Sequence, residues 1–325
     1  MERRKFIIWM AGILFAMDID KKTNVTPARI ALVRTRKRSE GVREAVKLLG
    51  MNPFKEKWVL IKPNFNSADP PPASTHNETL EEIIKICQES GSKKVSIGER
   101  SGFAGFIKTE DVLRRKGIYE LAESYGVEVI NFDELKDTQW IKFKPEGSHW
   151  LNGFKVAEPV IKADSVVSTC CLKTHRFGGV FTMSLKLSVG IVKKSYMAEL
   201  HSSFFNMRKM IAEINIAYNP SLIVLDGVDA FVDGGPEKGV LKEGNVIIAG
   251  ADRIAVDAVG VAVLKDLGSN KKIMKTKIFE HDQIKRAVEL GIGISSPSLI
   301  EIITPDEESE KYARKIRKIL EKEGA

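Results

Sequence analysis

Lys62, Glu99, Lys173 and Asp226 each close a short apolar run: Val59-Leu60-Ile61, Val95-Ser96-Ile97-Gly98, Val166 to Leu172, and Leu222-Ile223-Val224-Leu225. Asn64 stands two positions beyond Lys62, and His175 two beyond Lys173. Ammonium groups attract an anion and stabilise negative charge that develops in a reaction. Imidazole and carboxylate groups move protons. If the four runs lie side by side as strands, these residues converge on one rim and form a site.

The signals differ in strength. Lys173-Thr174-His175, followed by Arg176 and the Gly178-Gly179 turn, is the strongest, because lysine can orient an anion while histidine shuttles a proton or binds a metal. In Lys62-Pro63-Asn64, Pro63 fixes its own φ and steers Lys62 out of helical geometry, which presents both polar groups in a defined direction. Taken alone, that tripeptide also suits a plain solvated strand end. Gly98-Glu99-Arg100-Ser101-Gly102 could form a backbone nest for an anion, with Ser101 and Gly102 as contacts, or serve as a crossover loop. It is neither G-x-G-x-x-G nor a Walker sequence, which disfavours classical nucleotide binding.

Lys186 sits in an otherwise apolar stretch and needs a carboxylate, a ligand or an exit to solvent. His76 lies in a Pro-, Asn- and Ser-rich loop, residues 63–77, long enough to suggest a functional role. A divalent ion could use His175, His201 and Asp233, although no spacing such as H-E-x-x-H supports one. Asp252 reads as a helix cap, whereas Asp257, amid apolar neighbours, has no such simple role. The proposed assignment is therefore His175, Lys173, Glu99 and Asp226 for chemistry. Lys62, Asn64, His76, Lys186, Ser101 and Gly102 are assigned to substrate binding.

The elements that must position these residues alternate. Short β-branched runs near 29–34, 58–62, 93–98, 127–132, 165–172, 221–225, 245–249 and 299–303 read as strands. Helical spacing fills most intervals, including 78–90, 181–192, 207–218, 252–267, 281–290 and 307–321. The expected fold is α/β: a doubly wound, mostly parallel sheet with helices on both faces. Ligands in such folds sit outside the carboxyl ends of the strands. Two short alternating runs, 139–144 and 152–156, suggest a small inserted hairpin, within an insertion spanning about 138–163. Residues 28–325 read as one domain, preceded by an apolar segment and link over 1–27.

Composition narrows the class. The chain has 325 residues, 43% hydrophobic and 29% charged, as expected of a globular protein. Its net charge of +8 invites a nucleic-acid reading, but aromatic residues make up 7% and no binding motif appears. A small anionic ligand makes better use of the lysines. Three cysteines provide neither a disulfide framework nor an iron–sulfur cluster, and a reducing, cytoplasmic setting fits. Arg3-Arg4-Lys5 ahead of the apolar stretch Phe6–Met17 leaves three readings: translation starting at Met17, an export signal, or an interfacial membrane anchor. The first is favoured.

Taken in order, several segments resemble the uncharacterised DUF362 family. They are Lys62-Pro63-Asn64, Ser74-Thr75-His76, Gly98-Glu99 with Ser101-Gly102, Lys173-Thr174-His175, Leu185-Lys186 through Gly190, His201, Asp226-Gly227, Gly235-Pro236 with Gly239, and Ala251-Asp252 through Asp257. The set spans about residues 28 to 304. The resemblance implies an α/β protein, and some members carry ferredoxin-like cysteine segments that this chain lacks. Leu187 departs from the asparagine often found in the pattern. Two functions compete: an enzyme acting on a small carboxylate or phosphate, and a non-catalytic accessory protein that holds a metal or cofactor for a redox partner.

Overall fold

The computed structural model describes residues 26–102 and 107–324. The apolar N-terminal segment and the Phe103–Gly105 part of the glycine-rich loop lie outside the described residues. Eleven strands are present among those described: β1 (Ala28–Arg34), β2 (Trp58–Lys62), β3 (Lys94–Glu99), β4 (Glu128–Asn131), β5 (Trp140–Phe143), β6 (Phe154–Ala157), β7 (Ser165–His175), β8 (Val180–Thr182), β9 (Leu222–Gly234), β10 (Gly239–Gly250) and β11 (Ile300–Ile303). Nine form one sheet in the order β11-β1-β10-β9-β7-β2-β3-β4, with β8 paired to β7. β8 and β10 run against the other strands.

The sheet is doubly wound. From β2 the chain moves outward through β3 to β4, and from β7 it moves the opposite way through β9 to β10. The reversal falls between β2 and β7, where a crevice opens beyond the carboxyl ends. Both faces are covered. Ala31, Val33, Val59 and Ile61 pack with the helices Arg38–Leu49 and Asn77–Glu89, while Ile30, Leu32, Leu172 and Leu225 pack with the helix Arg253–Asp266. Adjacent strand residues thus face opposite cores, as a period of two demands.

Local chemistry explains the helix boundaries. Arg38–Leu49 stops at Gly50, whose φ of 62° is left-handed. Arg253–Asp266 starts where Asp252 accepts a hydrogen bond from the Ala255 amide at 2.8 Å. That helix is buried along nearly its whole length, which its continuous Ile, Val, Ala and Leu sequence permits. The expected hairpin forms as β5 paired antiparallel to β6, in a separate two-stranded sheet.

Two expectations need correction. Residues 181–192 are not one helix: Val180–Thr182 pairs back onto β7, and only Ser184–Leu187 is α-helical before a 3-10 turn. β9 does not end at Asp226 but continues to Gly234 and turns into β10. No helix among the described residues is long and apolar enough to cross a membrane.

Candidate functional site

At the crevice, Lys62, Asn64, Glu99, Arg100, Lys173, His175 and Lys186 line one cavity of about 50 Å³. Lys62 and Lys173 come from the ends of neighbouring strands β2 and β7, and Glu99 from the end of β3. The convergence expected of the strand ends occurs for these residues.

Lys62 and Glu99 neutralise each other. Both are buried, with Lys62 Nζ 2.5 Å from Glu99 Oε1 and donating to the Pro63 carbonyl at 2.6 Å. Glu99 also accepts from the Phe65 amide through Oε2 and the Arg100 amide through Oε1, each at 2.8 Å. Burial pushes the Glu99 carboxyl up and the Lys62 ammonium down, while their contact opposes both shifts. Gly190 packs on this pair: a Cβ there would lie 2.7 Å from Lys62 Nζ and 3.1 Å from Glu99 Oε1.

Lys173 is fully buried and donates to the Ala73 carbonyl, fastening the 63–77 loop over the strand end. Desolvation lowers its pKa. His175 is buried with Nδ1 unpaired, and desolvation followed by the nearby Lys186 charge holds its pKa well below the usual imidazole range. Burial therefore favours the uncharged ring. Lys186 is enclosed in protein but keeps partial access to the cavity, and no described residue gives it a hydrogen bond or ion pair. Desolvation, with Lys173 and Arg100 nearby, lowers its pKa to about 7. His175 and Lys186 flank Gly179, where a Cβ would meet Lys186 Cε at 2.8 Å and His175 Nδ1 at 3.0 Å.

The remaining candidates separate from this group. Asp226 lines neither this cavity nor the cleft outside it. Its Oδ2 accepts from Arg38 at 2.9 Å and Thr79 at 2.8 Å, and its Oδ1 accepts from the Val228 amide at 3.1 Å. The cause is register: β9 runs on past Asp226, so Phe231 rather than Asp226 stands beside Lys173. His76 caps the Asn77–Glu89 helix by accepting from the Glu78 amide at 3.1 Å, and it too lines neither space. Ser101 is buried with its amide donating to Thr109 Oγ1, and Gly102 lines the outer cleft. His175, His201 and Asp233 do not assemble into a metal centre, and no group of three or more His, Cys, Asp or Glu residues does so among the described residues. Asp233 faces a surface depression that His175 also borders, together with Asn270 and Lys271, and that His201 does not reach.

Sequence reasoning missed Arg100, Thr182 and the role of Asp257. Arg100 directly follows Glu99 and donates to the carbonyls of Gly102 and Val189, which brings a further cation to the cavity wall. Its position next to a strand-end carboxylate was the available signal. Thr182, on the unexpected strand β8, lines the cavity with an unpaired hydroxyl. Asp257 accepts from the Ser184 amide at 2.7 Å and the Leu185 amide at 3.1 Å. It therefore anchors the start of the short turn that carries Lys186. Burial raises the Asp257 carboxyl to about 7 despite these bonds.

Comparison with known proteins finds the family described as "Domain of unknown function (DUF362)" matching residues 59–262, well over half the chain. The chain belongs to the DUF362 family. A thylakoid-associated protein of Synechocystis sp. is 24% identical over 213 residues, covering 64% of this chain and 63% of that protein. The lactate racemase apoprotein of Thermoanaerobacterium thermosaccharolyticum is similar with a TM-score of 0.39 and 17% identity, over 62% of this chain and 50% of that one. A Thermotoga maritima protein gives a TM-score of 0.44 and 16% identity, over 71% and 57% respectively. This DUF362 chain thus spans less than two thirds of the length of each of these relatives.

Proposed function

We propose that this protein is an enzyme that binds a small carboxylate or phosphate in the inner cavity and moves a proton there. One observation carries the reading: Lys62, Arg100, Lys173 and Lys186 line a single small enclosure against one carboxylate, Glu99. Excess buried positive charge is costly unless an anion compensates it. Lys62 is already paired, and Lys173 and Arg100 hold backbone carbonyls, so among the described residues Lys186 is the cavity cation available to a ligand. Asn64 Nδ2 and Thr182 Oγ1, both unpaired, add neutral polar groups to the same wall.

In this reading the protonated Lys186 holds the anion or the negative charge that develops on it. Neutral His175, beside Lys186, accepts or returns the proton. Glu99 maintains the cavity's shape through Lys62 and the Phe65 and Arg100 amides. Three buried, unbridged cysteines accord with a cytoplasmic setting.

The test is thermal shift with a panel of small carboxylates and inorganic phosphate, since a ligand that binds the folded state stabilises it by mass action. At least one should raise the melting temperature, and Lys186→Gln should remove the effect. An unresponsive wild-type protein, or a response in Lys186→Gln equal to that of the wild type, would reject the assignment.

A further inference from the structure

Beyond the inner cavity, across a border formed by His175, Lys186, Asn66, Val189 and Pro236, lies a second space of about 770 Å³. Those five residues border both, so the two spaces adjoin. Their chemistry differs sharply. The inner one is small enough for a few water molecules or one oxoanion, at roughly 10–15 Å³ per water. The outer one has the size of a typical organic-ligand site.

Ile107, Phe177, Val189, Phe204, Met207 and Pro236 make the outer wall largely apolar. Apart from Lys186 at the shared rim, its charged groups have partners: Arg176 pairs with Glu237, and Asp69 accepts from the Ser67 hydroxyl at 2.7 Å. Phe177 and Phe204 are 52% and 78% exposed, although water is a poor neighbour for a phenyl ring. A nucleotide is a poor match, because its phosphate chain exceeds the inner cavity and, beyond Lys186 at the shared rim, the outer cleft's Arg176 is already paired with Glu237.

We propose that the substrate is amphiphilic: a single small oxoanion head seated at Lys186 and a sizeable apolar body lying along the Phe177–Phe204–Met207 wall. This rests on the anion-binding reading above and adds the substrate class. The two cavities assign the two halves of the ligand separately, so each half can fail alone.

The experiment is isothermal titration of the full chain with straight-chain carboxylates from acetate to decanoate, and with alkyl phosphates of matching length. Affinity should rise on the order of fourfold per added methylene, the value expected for complete burial of each CH₂. The carboxylate and phosphate series distinguish which head is preferred. Lys186→Gln should weaken every member of the preferred series by a similar factor. Phe204→Ser and Phe177→Ser, both at exposed positions, should flatten the dependence on length. Acetate binding that depends on Lys186 with no gain on lengthening would overturn the amphiphile and leave the anion site standing. A gain on lengthening that ignores Lys186→Gln would overturn the proposal and remove the head-group site with it.

Discussion

Two lysines border the same cavity in opposite circumstances. Lys62, at the tip of β2, has a carboxylate at 2.5 Å and a carbonyl at 2.6 Å, and a glycine packs against its ammonium. Lys186, on the turn after β8, has no described partner and sits beside an uncharged imidazole. Both cavity walls use a glycine, Gly190 or Gly179, to let these side chains approach the backbone. The contrast separates the roles. A buried cation with its valences filled builds the wall, and one left unfilled is available to a ligand.

Breaking the filled side should have the largest effect. Lys62→Met leaves Glu99 buried without its cation, and loss of one partner from a buried pair costs about 3–5 kcal/mol. Urea unfolding should show that loss, while Lys62→Met/Glu99→Gln together should recover part of it. A loss in the double variant equal to the sum of the Lys62→Met and Glu99→Gln losses would mean the pair is not coupled. Asp257→Ala should follow closely, because two buried amides lose their acceptor at about 1–3 kcal/mol each. That variant should also disturb ligand affinity through Lys186, whereas a pure stability loss would detach Asp257 from the site.

On the unfilled side, Lys186→Met should weaken binding of a small anion by roughly 10- to 100-fold, the equivalent of about 1.5–3 kcal/mol for a charged hydrogen bond. Its effect on folding should have the opposite sign. Burial lowers the pKa of the wild-type lysine in the folded state to about 7, from an ordinary lysine value of 10.5. Between those values the unfolded chain binds more protons, so wild-type stability rises with pH there. The advantage of Lys186→Met should therefore be greatest at and below pH 7 and fade towards pH 10. The smallest change is His76→Ala, which removes a helix cap for about 1 kcal/mol and should leave anion affinity unaltered.

Much of the positioning was legible in the sequence because it depends on local pattern. β-branched runs ending in Lys62, Glu99 and Lys173 identify parallel strands whose tips meet, and the reversal of strand order supplies the crevice. What escaped depends on pairing across the fold. Asp226 ends an apolar run, yet pairing with β10 carries its strand onward and leaves the carboxylate holding Arg38 and Thr79. Phe181 to Val192 has helical apolar spacing, but the antiparallel pairing of β8 with β7 claims its first residues. Asp257 lies more than 70 positions from the amides it holds, a relation no local pattern records.

The central claim is that Lys186, without a partner among the described residues, is an amine awaiting an anion, and nuclear magnetic resonance titration of its Nζ addresses that directly. With sulfate as a probe whose charge is constant, the free protein should show Lys186 titrating near 7, as burial dictates. Saturating sulfate should move that midpoint upward, and Lys186→Gln should abolish sulfate binding. A midpoint near that of an ordinary lysine, unmoved by sulfate, would contradict the account.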